Sequence, residues 1–320
     1  MSVRARIASA VFLTGLASAA PAAPETTPGV AELALQLAID PSARLTLPIE
    51  IAGRGPYNFL VDTGAERTIV SAELAQELAL GDGGAVRLAT ISGQSQAGTV
   101  LVPSLDFGRK RRLDALVAPV LSARDIGAAG MLGIDGLQAN EVVFDFARRK
   151  MTISKPRPLR HNDDEIVVQA RGRMGRLVIG DAAVERQSAT AVLDTGSELT
   201  IANEAMRRKL AEKRKLGTVT KVELISVTGA VILADSIVVK DLQLGNLTLH
   251  NFRVAFADML PFELLGLHEK PALLLGMDAL KLFDRVSVDF VNRRVRFVPP
   301  GVSSRPYGIE FAEAAGRPQS

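Results

Sequence analysis

FLVDTGA, residues 59–65, is the stretch that decides the fold, and its pattern returns as AVLDTGS at residues 191–197. In both places a short apolar run, typical of a buried strand, ends at an aspartate. Burying a carboxylate costs free energy unless neighbouring groups satisfy it. An aspartate after a strand often caps a turn, and that structural interpretation is open for either motif alone. It explains neither the repetition nor the Thr-Gly that follows the aspartate both times.

The elements around the two motifs repeat in the same order. Residues 45–51 and 57–61 predict a hairpin, with a turn at residues 53–56, whose second strand delivers Asp62. The other matching segments are a short strand (68–70 and 199–201), a helix (72–80 and 204–216), the sequences MLGIDGL (131–137) and LLGMDAL (274–280), and two closing strands (142–146 with 150–153, and 286–290 with 294–297). Asp135 and Asp278 match each other within these segments, and their surroundings predict a structural role at a helix start.

The chain is therefore predicted to be an internal duplication, with one lobe at residues 44–154 and the other at residues 165–298. Two copies are too few for a solenoid, so we expect them to pack as a pseudo-twofold pair. Residues 23–43 connect the N-terminus to the first lobe, residues 155–164 form a polar linker, and residues 299–320 form a loose tail. The linker is long enough for the lobes to pair within one chain, and pairing between two chains is the alternative.

A hairpin over residues 86–102 is a candidate flap, because small polar residues and glycines lie between its two predicted strands. Gly93 and Gly98 belong to this soft tip. Gly229, in the sequence Val-Thr-Gly, is the weaker counterpart in the second lobe.

The first 22 residues have the pattern of a secretory signal peptide. Arg4 and Arg6 form a basic start, an apolar run over residues 7–20 follows, and small residues then offer a cleavage site. A membrane anchor is the alternative, but the run is short of the about 20 residues that span a bilayer. We therefore expect a periplasmic or secreted protein with no membrane span after removal of the signal.

Composition excludes several classes of function. The chain has 38 Lys and Arg against 35 Asp and Glu, and loss of Arg4 and Arg6 with the predicted signal peptide leaves 36 against 35. A net charge so close to zero gives no electrostatic reason to expect a nucleic-acid partner. The chain has no Cys, which excludes a thiol nucleophile and disulfides. His161, His250 and His268 show no metal-binding spacing, so neither a metal nor another cofactor is expected.

Two aspartates that meet at a pseudo-twofold axis have a defined chemistry. Repulsion between like charges prevents both from ionising, so the pair shares one proton. The ionised member can take a proton from water while its neutral partner hydrogen-bonds a substrate carbonyl, as amide hydrolysis without a metal requires. Gly64 and Gly196 let the backbone approach the carboxylates and donate N–H groups to them.

These residues resemble the aspartic peptidases, and more closely their retropepsin-like branch than pepsin. The resemblance rests on the two Asp-Thr-Gly motifs and on the later apolar-apolar-Gly sequences, and it covers both lobes. It implies an all-β fold, a bilobal acid-protease barrel that binds an extended peptide or protein substrate in a cleft under one or two flaps. The expected interactions with substrate are backbone pairing and apolar side-chain pockets.

The resemblance also assigns roles residue by residue. Asp62 and Asp194 form the catalytic dyad, and Thr63 and Thr195 interlock their hydroxyls across the lobe boundary. Gly133 and Gly276 lie where each chain passes behind its own catalytic loop. The supporting loops are completed by Gly64, Ala65, Gly196 and Ser197.

The two loops differ at one position, where Ala65 corresponds to Ser197. A hydroxyl at Ser197 could stabilise an ionised Asp194, which leads to the hypothesis that Asp194 is the more acidic partner. Two function hypotheses follow from the whole sequence. The first is an exported aspartic endopeptidase, and the alternative is a non-catalytic peptide-binding module on the same fold.

Overall fold

A computed structural model of the chain describes residues 3–7, 12–14, 33–36, 38–39, 44–107, 111–138, 140–156, 165–173 and 176–301. The predicted linker and the predicted tail therefore lie almost entirely outside the described residues. Of the predicted signal peptide and the connection that follows it, the described residues are all in strands. No helix among the described residues is long and apolar enough to cross a membrane.

The first half of the chain contains thirteen strands and three short helices within its described residues. They are β1 (Val3–Ile7), β2 (Phe12–Thr14), β3 (Leu33–Gln36), β4 (Ala38–Ile39), β5 (Leu45–Ile51), β6 (Arg54–Val61), β7 (Ile69–Ser71), α1 (Ala72–Glu77), β8 (Gly81–Thr90), β9 (Gly93–Asp106), β10 (Arg112–Leu121), α2 (Ala123–Ile126), β11 (Gly130–Leu132), α3 (Ile134–Leu137), β12 (Glu141–Asp145) and β13 (Lys150–Ser154).

The second half repeats this order. Its elements are β14 (Ile166–Arg173), β15 (Arg176–Val184), β16 (Gln187–Leu193), β17 (Ile201–Ala202), α4 (Glu204–Glu212), β18 (Thr220–Ser226), β19 (Val231–Leu244), β20 (Leu247–Phe256), α5 (Leu260–Leu264), β21 (Ala272–Leu275), α6 (Met277–Leu280), β22 (Arg285–Asp289) and β23 (Arg294–Val298). The protein is all-β, as the sequence predicts, and the motif strands β6 and β16 occupy matching places in the two repeats.

Two sheets contain all of the described strands. One has nine strands in the order β2-β8-β9-β10-β7-β11-β6-β5-β4 and belongs to the first repeat. The other has fourteen strands in the order β1-β18-β19-β20-β17-β21-β16-β15-β14-β23-β22-β12-β13-β3. The closing strands β12 and β13 of the first repeat thus join the sheet of the second.

The junction between the repeats is the antiparallel pair β12 and β22, in which Val143 lies opposite Ser287. Across this junction the guanidinium of Arg296 forms an ion pair with Glu141, and both side chains are buried. An ion pair closed to solvent is costly to break from one side, because the remaining charge keeps its desolvation penalty. The shared sheet therefore holds the two repeats in one arrangement.

The hairpin that leads to the first motif shows why these residues form these strands. In β5, Leu47, Ile49 and Ile51 alternate inward and are fully buried, the period of two that a half-buried strand requires. The turn lies at Ala52 and Gly53, which both have positive φ, and the returning strand already begins at Arg54. A two-residue turn of this kind matches the twist of the strands, so it is tighter than the predicted turn at residues 53–56.

Candidate active site

Each Asp-Thr-Gly motif begins where a buried strand ends. The backbone N–H of Asp62 donates to the carbonyl of Leu132 at 3.0 Å, and that of Asp194 donates to the carbonyl of Leu275 at 3.0 Å. These bonds continue the parallel pairing of β6 with β11 and of β16 with β21. Both aspartates are therefore held by their backbone before their side chains make any contact.

The threonines of the two motifs join the loops to one another. The N–H of Thr63 donates to Oγ1 of Thr195 at 3.0 Å, and the N–H of Thr195 donates to Oγ1 of Thr63 at 3.1 Å. Each hydroxyl then donates to the backbone of the opposite repeat, Thr63 to Leu193 at 3.3 Å and Thr195 to Val61 at 2.7 Å. This reciprocal arrangement, implied by the resemblance, brings the two aspartates to one place.

The carboxylates are buried, with Asp62 0% and Asp194 1% exposed. Oδ1 of Asp62 accepts from the N–H groups of Gly64 at 2.6 Å and Ala65 at 3.1 Å, and Oδ1 of Asp194 accepts from the N–H of Gly196 at 3.2 Å. The glycines and the loop residue Ala65 thus contact the carboxylates as expected.

Gly196 also shows how closely the two loops approach. A Cβ atom at this position would lie 2.4 Å from both Cγ and Oδ2 of Asp62, a distance that real Cβ atoms essentially never show. A side chain at Gly196 would therefore displace the carboxylate of the opposite loop.

Burial and the neighbouring carboxylate of Asp194 raise the pKa of Asp62 to about 8. Hydrogen bonds from Gly64 and Ala65 and the charge of Arg176 act in the opposite direction but do not cancel the rise. The pair of adjacent buried carboxylates therefore keeps a proton at neutral pH. The arrangement holds an acid and a potential base side by side.

Arg176 is a buried cation beside the pair that the sequence analysis did not single out. It is the first residue of β15 in the second repeat, and its Nε donates to the carbonyl of Gly64 in the first repeat at 2.9 Å. Burial lowers the pKa of Arg176, while the charges of Asp194, Asp62 and Glu66 raise it. Arg176 therefore contributes positive potential behind the carboxylates and ties the second repeat to the loop of the first.

Spacing could have identified this residue. Arg176 precedes Asp194 by 18 residues (194 − 176 = 18), and Arg44 precedes Asp62 by the same number (62 − 44 = 18). Arg44 is likewise buried and donates from its guanidinium to the carbonyl of Ile126 at 3.0 Å. Both repeats thus have a buried arginine at the same distance before the aspartate, and the two guanidiniums donate to different carbonyls, Gly64 and Ile126.

Gly133 and Gly276 lie directly behind the two aspartate loops. A Cβ atom at Gly133 would be 2.5 Å from the carbonyl carbon of Arg67, and one at Gly276 would be 2.4 Å from the carbonyl oxygen of Leu199. Because these contacts are with backbone, which cannot rotate away, only glycine fits at either position. The two glycines occupy the places that the resemblance assigned to them.

Asp135 and Asp278 anchor the same region. Asp135 accepts from the N–H of Thr68 at 2.9 Å and from its hydroxyl at 2.7 Å, and Asp278 accepts from Thr200 at the same two distances. Burial raises the pKa of Asp278 to about 6, against these hydrogen bonds. Both aspartates lie in the first turn of a short helix, α3 or α6, and hold the chain that leaves each catalytic loop.

Ser197 does not have the role that the sequence suggested. Its hydroxyl donates to the carbonyl of Leu199 at 2.6 Å, so it supports its own loop instead of the carboxylate of Asp194. The carbonyl lies two residues further along a tight turn, where a serine hydroxyl reaches it easily. The proposed reason for a more acidic Asp194 is therefore wrong.

The flap candidates lie at and near the ends of two hairpins. Gly93 has φ +117° and follows a turn at residues 91–92, whereas Gly98 is paired with Ala85 well inside β9. The sequence analysis placed Gly98 in the tip, but the strand pairing continues to Thr90 and shortens the turn. Gly229, with φ +78°, lies in the turn between β18 and β19.

The two hairpin tips contact each other. Oγ of Ser92 in the first flap lies 3.4 Å from Oγ of Ser226 and 3.2 Å from Oγ1 of Thr228 in the second. Hydroxyls can both donate and accept, so the tips are joined by hydrogen bonds. The hairpins β8–β9 and β18–β19 thus meet at their ends, one from each repeat.

No group of three or more His, Asp or Glu side chains placed to hold a metal ion is present among the described residues. His250 pairs with Asp241 at 2.7 Å and His268 with Glu269 at 2.9 Å, both at the surface. His161 lies outside the described residues.

Comparison with known proteins agrees with the geometry. The family of aspartyl proteases matches residues 47–135 and residues 178–279, so the match includes both Asp-Thr-Gly motifs, both flap hairpins and both apolar-apolar-Gly sequences. The two matched regions together cover more than half of the 320 residues. A comparison with curated proteins gave no match. The chain, with its two interlocked aspartate loops, belongs to the aspartyl protease family.

Proposed function

We propose that the protein is an aspartic endopeptidase in which Asp62 and Asp194 activate one water molecule. The observation that carries the proposal is the pair of threonine-locked loops, which place the two buried carboxylates close enough to raise the pKa of Asp62. A single proton shared by two such groups supplies an acid and a base at once. Family membership supports protease activity in general.

The chemistry follows from that shared proton. Asp62, protonated, donates a hydrogen bond to the carbonyl oxygen of the scissile peptide, while ionised Asp194 takes a proton from water. The hydroxide so formed attacks the carbonyl carbon and gives a tetrahedral intermediate. Asp194 then passes the proton that it took from water to the peptide nitrogen, and Asp62 takes back a proton from a hydroxyl of the tetrahedral intermediate. The C–N bond breaks, and a carboxylic acid and an amine leave. Every proton that the carboxylates give is returned, so the pair is regenerated.

The substrate is proposed to be an extended peptide or an exposed segment of a protein. The proposed binding groove runs beneath the two hairpins, and this is supported by the contact of their tips through Ser92, Ser226 and Thr228. Strands at the edge of such a groove offer backbone N–H and C=O groups to a peptide, and apolar pockets select its side chains.

The decisive experiment is incubation of the protein with a mixed peptide library between about pH 3 and pH 8, with products identified by mass spectrometry. We expect Asp62→Asn and Asp194→Asn each to lower turnover by about 10²–10⁴-fold, since each removes one half of the acid–base pair. Asp114→Asn, which alters an exposed carboxylate near the start of β10, is the matched control. Turnover that survives both catalytic substitutions would contradict the proposal.

The same peptide library also distinguishes the enzyme from the alternative, a non-catalytic peptide-binding module. A non-catalytic peptide-binding module would retain peptides in the groove without releasing products at any pH. Measuring binding and product formation on the same library therefore distinguishes an enzyme from an interaction module.

We also propose that the protein acts in the periplasm or outside the cell. The support is the pattern of the first 22 residues, with two arginines ahead of an apolar run. Fractionation of expressing cells and sequencing of the mature N-terminus test this location. A full-length chain found only in the cytoplasm would contradict it.

A further inference from the structure

The N-terminal strand β1 lies between a flap and a catalytic loop. Along one edge it runs parallel to β18, with Val3 opposite Val222 and Ile7 opposite Ser226. Along the other edge Ile7 forms an antiparallel bridge with Ser197, directly after the second Asp-Thr-Gly motif. The strand thus has backbone partners on both sides, as an inserted peptide has.

A hydrogen bond joins β1 to the catalytic loop itself. The N–H of Glu198 donates to the carbonyl of Arg6 at 3.1 Å. Glu198 lies four residues after Asp194 (198 − 194 = 4), so this bond positions the strand next to the candidate active site. Main-chain bonds of this kind do not depend on the sequence of the inserted segment.

The side chains of β1 match their surroundings in polarity. Ala5 is 3% and Ile7 is 0% exposed, whereas Val3 is half exposed. Ile7 belongs to a buried cluster that includes Ile91 from the first flap and Phe262 from the second repeat. Both repeats therefore contribute apolar surface to the place that Ile7 occupies.

The two arginines of β1 have partners at the rim. Nε of Arg4 contacts Oε2 of Glu223 at 2.6 Å, and the guanidinium of Arg6 donates to the carbonyl of Arg124 at 3.1 Å. The first pair links the strand to the second repeat and the second links it to the first repeat. Because Arg4 is largely exposed, its ion pair serves selectivity more than affinity.

A second described piece of the N-terminal sequence pairs with the other flap. Residues Phe12–Thr14 form β2, which is antiparallel to β8, with Phe12 opposite Ala89 and Thr14 opposite Arg87. The two strands β1 and β2 thus use the edge strands of two different flap hairpins. Each of these two strands therefore has its own backbone partner, in a different hairpin.

We propose that residues Val3–Ile7 are an intramolecular ligand of the peptide groove and block it until they are removed. The inference rests on the proposed function, since a blocked groove is meaningful only if peptides bind there. These residues belong to the predicted signal peptide, so cleavage that removes the first 22 residues also frees the groove. The freed groove then selects an aliphatic side chain in the place of Ile7 and a basic one opposite Glu223.

Turnover by the full-length chain tests the block directly. Ile7→Asp places a charge in an apolar, buried position and releases the strand, so we expect kcat/KM for peptides to rise by about tenfold or more as the competent fraction increases. Val3→Asp adds the same charge to the same strand at an exposed position and is the matched control, with a change below about twofold. Measurable but equal rates for the parent chain and Ile7→Asp would overturn the proposal, and if neither chain shows turnover the peptide-binding measurement below decides.

Hydrogen exchange gives a readout that does not depend on catalysis. In the full-length Asp62→Asn chain we expect slow exchange of the amides of Val3–Ile7 and of the β18 amides that face β1, and fast exchange of both sets after Ile7→Asp is added, while the β18 amides bonded to β19 stay slow. Adding Val3→Asp instead leaves both segments slow. Fast exchange of Val3–Ile7 in the Asp62→Asn chain itself would overturn the proposal even if that chain is correctly folded.

A labelled peptide separates failure of this inference from failure of the proposed function. The probe is the synthetic peptide VRARIASAVFLT, which corresponds to residues 3–14, measured by fluorescence anisotropy. We expect it to bind the full-length Ile7→Asp chain more tightly than the parent chain, because only the parent has its groove filled. This result together with no turnover would reject the enzyme and keep the block, whereas turnover with equal binding to both chains would keep the enzyme and reject the block.

Discussion

Asp62 shows at the scale of a single residue how the two repeats act on each other. Its carboxylate receives two N–H groups from its own loop, which favour the ionised form. Complete burial and the carboxylate of Asp194 outweigh them, and the pKa rises to about 8. The protonation state of this side chain is therefore decided first by its burial and then by a neighbour from the other half of the chain.

The raised pKa has a consequence for stability that can be measured. The ordinary pKa of an aspartate is 3.8, so the folded chain binds this proton more tightly than the unfolded chain does. The resulting contribution to stability is complete below about pH 4 and is lost as the pH rises through about 8. Asp62→Asn is neutral at every pH, so its free energy of unfolding relative to the parent rises between these two values.

Urea denaturation at a series of pH values measures this difference. Asp114→Asn serves as the control, because its exposed side chain in the ion pair with Arg112 does not share the environment of the dyad. If the free energies of unfolding of the parent and Asp62→Asn change with pH in parallel from acid to neutral pH, the pKa of Asp62 is not raised.

At the scale of a single element, the candidate flap hairpin β8–β9 contains two glycines with different backbone conformations. Gly93 has φ +117°, whereas Gly98 lies in regular strand pairing. Both positions have room for a side chain, because a Cβ atom at either one would find nothing within 4 Å. Strand pairing and the turn at residues 91–92 together impose the unusual angle on Gly93 alone. Substitutions at these two glycines therefore distinguish the effect of backbone strain from the effect of steric contact.

We expect Gly93→Ala to destabilise the protein by about 1–3 kcal/mol, the cost of a side chain in this region of backbone space. Gly98→Ala should change the free energy of unfolding by no more than about 1 kcal/mol, with either sign, since its conformation suits any residue. Chemical denaturation measures both, and hydrogen exchange at residues 90–93 localises the effect to the flap tip. Equal effects of the two substitutions would refute the assignment of the strain to Gly93.

At the scale of the whole molecule, the closing strands of one repeat complete the sheet of the other. β12 of the first repeat pairs with β22 of the second, so the two halves share strand hydrogen bonds as well as the contacts between Thr63 and Thr195. The ion pair of Arg296 with Glu141 lies within this shared sheet, with side chains 8% and 1% exposed. This junction is therefore a second connection between the two halves, in addition to the threonine contacts that join the aspartate loops.

Glu141→Gln should therefore destabilise the protein by about 3–5 kcal/mol, because the guanidinium of Arg296 stays buried without its main counter-charge. Asp114→Asn removes one partner of an exposed ion pair on β10 and should change stability little. Thermal unfolding followed by calorimetry measures both variants. A loss for Glu141→Gln no larger than for Asp114→Asn would show that the shared sheet does not depend on this pair.

Much of the fold and of the site could be predicted because their signals are local. An apolar run that stops at Asp-Thr-Gly is visible in seven residues, and its repetition identified both aspartates. Gly133 and Gly276 were found the same way, from matching sequences. The position of the flap turn was harder, since the register of β8 against β9 decides it and not the glycines alone.

Other features depend on residues that are distant in the chain. The hydroxyl of Ser197 could reach either Asp194 or a backbone carbonyl, and only the path of its loop decides for Leu199. Arg176 lies 112 residues from its acceptor Gly64, so nothing next to it in sequence shows the contact. Its equal spacing with Arg44 was a usable signal, but spacing alone does not give a partner.

The sequence by itself determined that this protein is a duplicated all-β chain with two aspartate loops, because strand periodicity, turn residues and internal repetition act over short distances. Only the tertiary structure decided that closing strands of the first repeat join the sheet of the second, that a buried arginine lies behind the two aspartates, and that the chain's own first strand pairs with β18 next to the second aspartate loop. Those arrangements arise when backbone edges and buried charges from distant segments find partners, and a linear pattern does not contain that information.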